Sequence, residues 1–253
     1  MFGMKKIKIG VGTDVREYQM PECWDELTQE QFVYAVSHMP AEDRLPVKVM
    51  QHLLGVAFEQ AMFVMPTDWY VIHKEGFKWL DDYEDISRWI VEEIRLKDGR
   101  RCLPPTADFD NVSWEEFLFA DQLAQNGNWW AVAACLYRPE REVKSEETDG
   151  RVPFTRFGAS NRLGMFRELD APLIKAVEVN YLVLRKRLTD GFPNLFTTKS
   201  SGKGGESAGW PEVSRALLGE RVWEEEQLMH TSAAQVLYRL DSVVKESKGG
   251  RHV

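Results

Sequence analysis

Residues 170–188 read DAPLIKAVEVNYLVLRKRL, and this stretch decides the fold class. Asp170 is a natural helix N-cap, and Pro172 falls in the first turn, where a missing amide hydrogen costs nothing. Leu173, Val177, Tyr181, Leu184 and Leu188 recur at helical spacing. Arg185, Lys186 and Arg187 fall in the last turn, where positive charge complements the helix dipole. The basic run therefore reads as helix-end electrostatics and not as a nucleic-acid contact.

The same pattern recurs on both sides. Thr28 and Gln31 have capping-box spacing ahead of Phe32, Ala35 and Val36, so a helix is expected over 28–38. A second is expected from Leu45 through Ala57 and a third segment over 81–93, around Trp89 and Ile90. Ser113 and Glu116 repeat the capping-box spacing before Phe117, Leu118, Ala120 and Leu123, and Gly127 stops that helix. The next starts near Asn128, carries Trp129, Val132, Ala133 and Leu136, and ends at Pro139. A last helix begins at Thr231 or Ser232, with Ser232 and Gln235 in capping-box spacing, and holds Ala233, Leu237, Leu240 and Val244.

Strand signals are few. Lys6-Ile7-Lys8-Ile9 alternates polar and apolar, and Gly10 and Gly12 follow as a turn. Asp98-Gly99 lies between residues 94–97 and 100–103, a hairpin signal in which both turn positions want positive φ. The expected class is mainly α, formally α+β with a minor β-hairpin, built as an irregular multi-helix bundle. Four regions are expected: 1–93, helical behind a short strand; 94–196, hairpin and helical core; 197–209, a flexible linker reading TTKSSGKGGESAG; and 210–253, a helical tail opened by Trp210-Pro211. Residues 140–150 read as a charged loop and 248–252 as a frayed end.

Composition narrows the function classes. With 43% hydrophobic residues and nine tryptophans in 253 residues, the chain can bury a core large enough to offset ordering entropy. A net charge of −8 repels phosphate backbones, so no nucleic-acid partner is expected. Cys23, Cys102 and Cys135 lack CxxC spacing and read as reduced thiols. The N-terminus has no long apolar core of a signal peptide, and no apolar run approaches the ~20 residues that span a bilayer. A cytoplasmic protein without membrane partners is expected.

Catalytic and cofactor motifs are missing. Gly10-Val11-Gly12 lacks the third glycine of a dinucleotide loop, and residues 199–205 lack the spacing of a P-loop. The five histidines form neither HExxH nor a pair with cysteine, and there is no GxSxG. The acids at 81–85 and 224–226 are sequence neighbours on helices and read as solvated faces. No cofactor, metal or catalytic residue is expected.

Aromatic residues are in surplus. Trp129 and Trp130 point about 100° apart on a helix, and Phe117 and Phe119 raise the same issue. Core packing accounts for most of them, and one member of each pair is a candidate for a partner interface.

Two stretches carry a resemblance. One runs from Asp108-Phe109-Asp110-Asn111 through Trp114 and Phe117 to Leu136-Tyr137-Arg138-Pro139; the other is Trp210-Pro211-Glu212-Val213 with Val236-Leu237-Tyr238-Arg239-Leu240. Together they resemble small helical proteins encoded among the tail genes of tailed bacteriophages and prophages, some of which look like tail assembly chaperones. The resemblance covers about residues 94–245 and transfers no catalytic residue. It implies a non-enzymatic protein of the host cytoplasm that holds an aggregation-prone tail component, the tape measure or a tube subunit, until polymerisation. Trp114, Phe117, Trp129, Trp130 and Trp210 are the candidate partner-binding residues. Two rivals stay open: a structural virion component, such as a connector or tail-completion subunit, and an enzyme with a site assembled from distant acids.

Overall fold

A computed structural model describes residues 5–11, 14–40, 44–142, 149–196 and 224–249. The chain is mainly helical, with short antiparallel strands in two small sheets. It divides into two units: residues 1–92 with 170–183, and residues 93–169 with 184–253.

In the first unit, β1 (Lys5–Val11) pairs antiparallel with β2 (Asp14–Met20), Ile7 opposite Tyr18 and Ile9 opposite Arg16. The expected turn at Gly10 is displaced, because the strand continues through Gly10 to Val11. The second strand escaped notice in the sequence because DVREYQM is charged, and of residues 15–20 Tyr18 is half-buried and Met20 buried while the others are exposed. Helix α1 (Gln29–His38) opens on the expected capping box: Thr28 Oγ1 accepts from the Gln31 amide, and Gln31 Oε1 accepts from the Thr28 amide. Helix α2 (Val47–Leu54) is shorter than expected, since Gly55 takes a left-handed cap conformation with φ 66°. Two short helices follow, α3 (Phe58–Ala61) and α4 (Pro66–Ile72); a π turn (His73–Phe77) extends α4.

The core of this unit centres on Trp24. Its ring is fully buried against Phe32, Trp79 and Tyr83, and its Nε1 donates to the carbonyls of Trp79 (3.0 Å) and Asp82 (2.7 Å).

The helix expected over 81–93 does not form. A 3₁₀ turn ends at Asp81, and 82–93 is irregular although Ile86, Trp89, Ile90 and Val91 are buried. Side chains from elsewhere take the backbone groups a helix would need. Asn180, itself buried, accepts from the amides of Ile90 (2.8 Å) and Val91 (3.1 Å) and donates to the Arg88 carbonyl (3.0 Å). Asp25 accepts from the Ser87 amide, and Arg88 donates to the carbonyls of Asp25 and Leu27.

In the second unit, β3 (Ile94–Arg95) and β4 (Arg101–Leu103) form the expected hairpin, and β5 (Arg138–Pro139) adds a third strand beside β4. Only Gly99 of the Asp-Gly pair has positive φ (86°). The Gly99 amide bonds Leu96 and the Leu96 amide bonds Arg100, so the loop has three residues and needs a single left-handed position.

Helices α5 (Trp114–Gln125), α6 (Trp129–Leu136) and α7 (Arg156–Phe166) pack together. Helix α7 lacks the apolar periodicity that would announce it, and three of its buried residues are Ala159, Arg162 and Phe166. Helix α8 (Ala171–Asp190) contributes residues to both units. Helix α9 (Glu225–His230) precedes α10 (Ala233–Gly249), which buries Ala233, Val236, Leu237 and Leu240 and extends into the residues expected to fray. The expected linker at 197–209 and the helix opened by Trp210 lie outside the described residues. Among the described residues no helix is long and apolar enough to cross a membrane.

The Asn180 clasp makes a stability prediction. Asn180→Ala removes the side chain that bonds two buried amides and one carbonyl, so urea denaturation should show a loss of about 3 kcal/mol. Hydrogen exchange should speed selectively at Ile90 and Val91.

Candidate functional site

The candidate partner-binding residues separate in the structure. Trp114 and Phe117 are fully buried, stacked on each other at 5.6 Å between centroids, with Phe109 edge-on to Phe117. They are core residues and present no docking face. The cause is a contact between distant parts of the chain: the Trp114 amide donates to the Thr231 carbonyl and the Ala233 amide to the Val112 carbonyl, both at 2.8 Å, so the start of α10 covers the start of α5. Trp129 and Trp130 are half-buried on α6, and Trp210 lies outside the described residues. Phe119, the neighbour weighed against Phe117, is half-buried between Phe154 and the Arg156 guanidinium.

A buried ionic cluster stands at the end of α6. Residues 131–136 are all buried, so the last carbonyls of this helix have no water to bond. Arginines take them. Arg162 donates through Nε and Nη2 to the Ala134 carbonyl, at 3.2 and 3.0 Å, and Arg151 Nη1 donates to the Leu136 carbonyl at 3.1 Å. Arg151 Nη2 (2.7 Å) and Arg138 Nη2 (3.3 Å) both donate to the Asn111 carbonyl. The loop presenting that carbonyl holds Phe109 at φ 59°, an uncommon conformation for a bulky residue, with the ring buried.

Two carboxylates answer the three guanidinium groups. Asp149 accepts from Arg151 at 2.8 Å and from Arg138 at 2.7 Å. Burial raises its pKa, but the bonds and charges of Arg151 and Arg138 outweigh that and leave it below the ordinary value.

Glu116 is 1% exposed. Its backbone amide makes half of the expected capping box with Ser113, but its side chain does not fold back; it faces Arg138, whose Nε lies 3.2 Å from Oε1 in poor alignment for a hydrogen bond. Neither Glu116 oxygen accepts a hydrogen bond among the described residues. Burial pushes its pKa up to about 7, against the lowering effect of Arg138 and Arg151. Burial likewise raises the thiols of Cys102, to about 11, and Cys135, which argues against either acting as a nucleophile at neutral pH. The cluster is internally bonded and reads as a helix terminator. Among the described residues no group of three or more His, Cys, Asp or Glu converges as metal ligands would.

The surface feature that stands out is in the first unit. Phe58, Met62, Phe63, Met65, Tyr70 and Val71 lie on consecutive short turns, α3 to α4, and each is between 48% and 71% exposed. Helix α4 places Trp69 and Ile72 in the core and Tyr70 and Val71 outside. Single exposed apolar residues are ordinary, but six large ones within fourteen positions are an unusual concentration, here called the patch. The sequence held a signal for it in the run Met62-Phe63-Val64-Met65 between two helices too short to bury it. No protein-family model matches the chain, and no curated protein or solved structure matches it either.

Glu116 sets a pH dependence. Its folded pKa lies above the ordinary 4.5, so the unfolded chain releases this proton first as pH rises. Its contribution to stability is therefore highest below about pH 4.5 and falls by up to about 3 kcal/mol as pH climbs to about 7. Thermal melts at pH 5 and pH 8 should show a smaller drop for Glu116→Gln than for the native chain.

Proposed function

We propose that this chain is a non-enzymatic binding protein that assists tail morphogenesis of a bacteriophage or prophage, acting as a chaperone or adaptor in the host cytoplasm. The observation that carries the binding role is the exposed apolar stretch from Phe58 to Val71. Large apolar side chains left in water favour association with a partner's apolar surface, and two of these six are methionines, whose flexible thioethers adapt to varied shapes. The tail-assembly assignment rests on the resemblance of residues 94–245, and the client it implies is a tape measure or tube subunit. The surplus aromatics do not supply the docking face in this reading; that role passes to the short helices α3 and α4.

Co-expression with bacteriophage tape measure and tube proteins tests the assignment. A tagged chain should capture one of them, and Met62→Ser/Phe63→Ser should reduce capture at least tenfold while leaving the thermal melt unchanged, because both side chains are exposed. Mass spectrometry of purified particles should find the chain absent; its stoichiometric presence would favour a structural virion component instead.

A further inference from the structure

Charge is divided unequally along the chain. Residues 1–92 with 170–183 carry 18 Asp and Glu against 10 Lys and Arg, whereas residues 93–169 with 184–253 carry 22 of each. The formal −8 of the protein therefore belongs to the unit that bears the apolar patch. The imbalance is sharpest in the stretch of sequence that carries the patch, although the β1–β2 hairpin brings one cation to it, Lys5, whose Nζ donates to the Glu75 carbonyl at 3.1 Å. Between residues 56 and 85 the acids are Glu59, Asp68, Glu75, Asp81, Asp82, Glu84 and Asp85, all exposed, against Lys74 and Lys78. Glu59 and Asp68 sit on α3 and α4 themselves, and Glu75 is on the π turn that extends α4.

The area is of useful size. Six large side chains at these exposures together present on the order of 700 Å², close to one side of a standard interface. An occupant must satisfy both features: an apolar stripe to cover Phe58, Met62, Phe63, Met65, Tyr70 and Val71, and positive charge to meet the acids around them. A second copy of this chain would bring an equally acidic surface to the same patch, and like charges across an interface oppose association.

We propose that this surface docks a cationic amphipathic helix of a partner protein, its apolar stripe on the patch and its Lys and Arg residues against the surrounding carboxylates. The proposal rests on the docking role given above to the same patch and adds the chemistry of the partner. Leucine or methionine at i, i+3, i+4 and i+7 would cover the apolar side chains. Lys and Arg on the flanks would speed encounter and make binding sensitive to salt.

Two labelled 18-residue peptides test this, identical in a leucine and alanine stripe and carrying either Lys or Glu on the other face. Fluorescence anisotropy with the full-length protein should show the Lys peptide binding at least tenfold tighter than the Glu peptide in 50 mM NaCl, with the preference shrinking in 300 mM NaCl. Met62→Ser/Phe63→Ser, which leaves charge unchanged, should abolish Lys-peptide binding. Equal affinities for the two peptides, a preference that survives in the serine variant, or a dimer that dissociates in that variant would each overturn the proposal. A tail protein captured through the patch by an acidic or uncharged segment would overturn this inference and leave the tail-assembly reading standing. Lys-peptide binding through the patch with no tail protein captured would do the reverse.

Discussion

Helix α6 is buried through residues 131–136, so its carbonyl end lies where water cannot complete its hydrogen bonds. A helix inside a core must still end, and an unpaired carbonyl there costs as much as a lost hydrogen bond. Arg151 and Arg162 reach these carbonyls directly, and Arg138 joins Arg151 on the Asn111 carbonyl nearby. Guanidinium suits the task because its donors fan out in a plane and stay charged, and positive charge favours a helix C-terminus. The arginines bring a burial penalty of their own: Arg138 and Arg162 have lowered pKa values caused first by desolvation. Asp149 and Glu116 offset it in part, and Glu116 bears the remaining strain as a carboxyl pushed up to about 7. The order of causes is thus helix, then arginines, then acids.

The first unit solves a related problem with different residues. Its irregular segment 82–92 buries Ile86, Trp89, Ile90 and Val91 without a ladder of its own, and Asn180, Asp25 and Arg88 supply the missing partners. Trp24 acts in the same way, bonding two carbonyls through its indole nitrogen while its ring fills the core. In both units, long polar side chains tie down backbone that regular structure leaves unpaired.

The apolar stretch from Phe58 to Val71 stands in contrast. Helices α3 and α4 have four and seven residues, too short to be stable alone; α4 is held by Trp69 and Ile72 on its inner side, whereas α3 buries none of its residues. These helices and the residues between them keep six large apolar groups in water, in a stretch that also carries exposed carboxylates. Leaving this surface open lowers solubility, and the −8 of the same unit works against aggregation by self-repulsion.

Local interactions in the sequence were enough to set the helical class, the α1 capping box, the Asp98-Gly99 hairpin and the long helix after Asp170, because each depends on residues within a few positions of one another. Wherever a distant residue competes for the same groups, the outcome belongs to the tertiary structure. Residues 81–93 have helical composition but lose their amides to Asn180 and Asp25. Glu116 has capping-box spacing but turns to Arg138. Trp114 and Phe117 have the look of interface aromatics, yet the chain at Thr231–Ala233 covers the start of their helix and both lie in the core. The exposed stretch from Phe58 to Val71 was only partly legible for the converse reason: its residues are as apolar as a core, and only packing shows that no part of the described chain comes back to bury them.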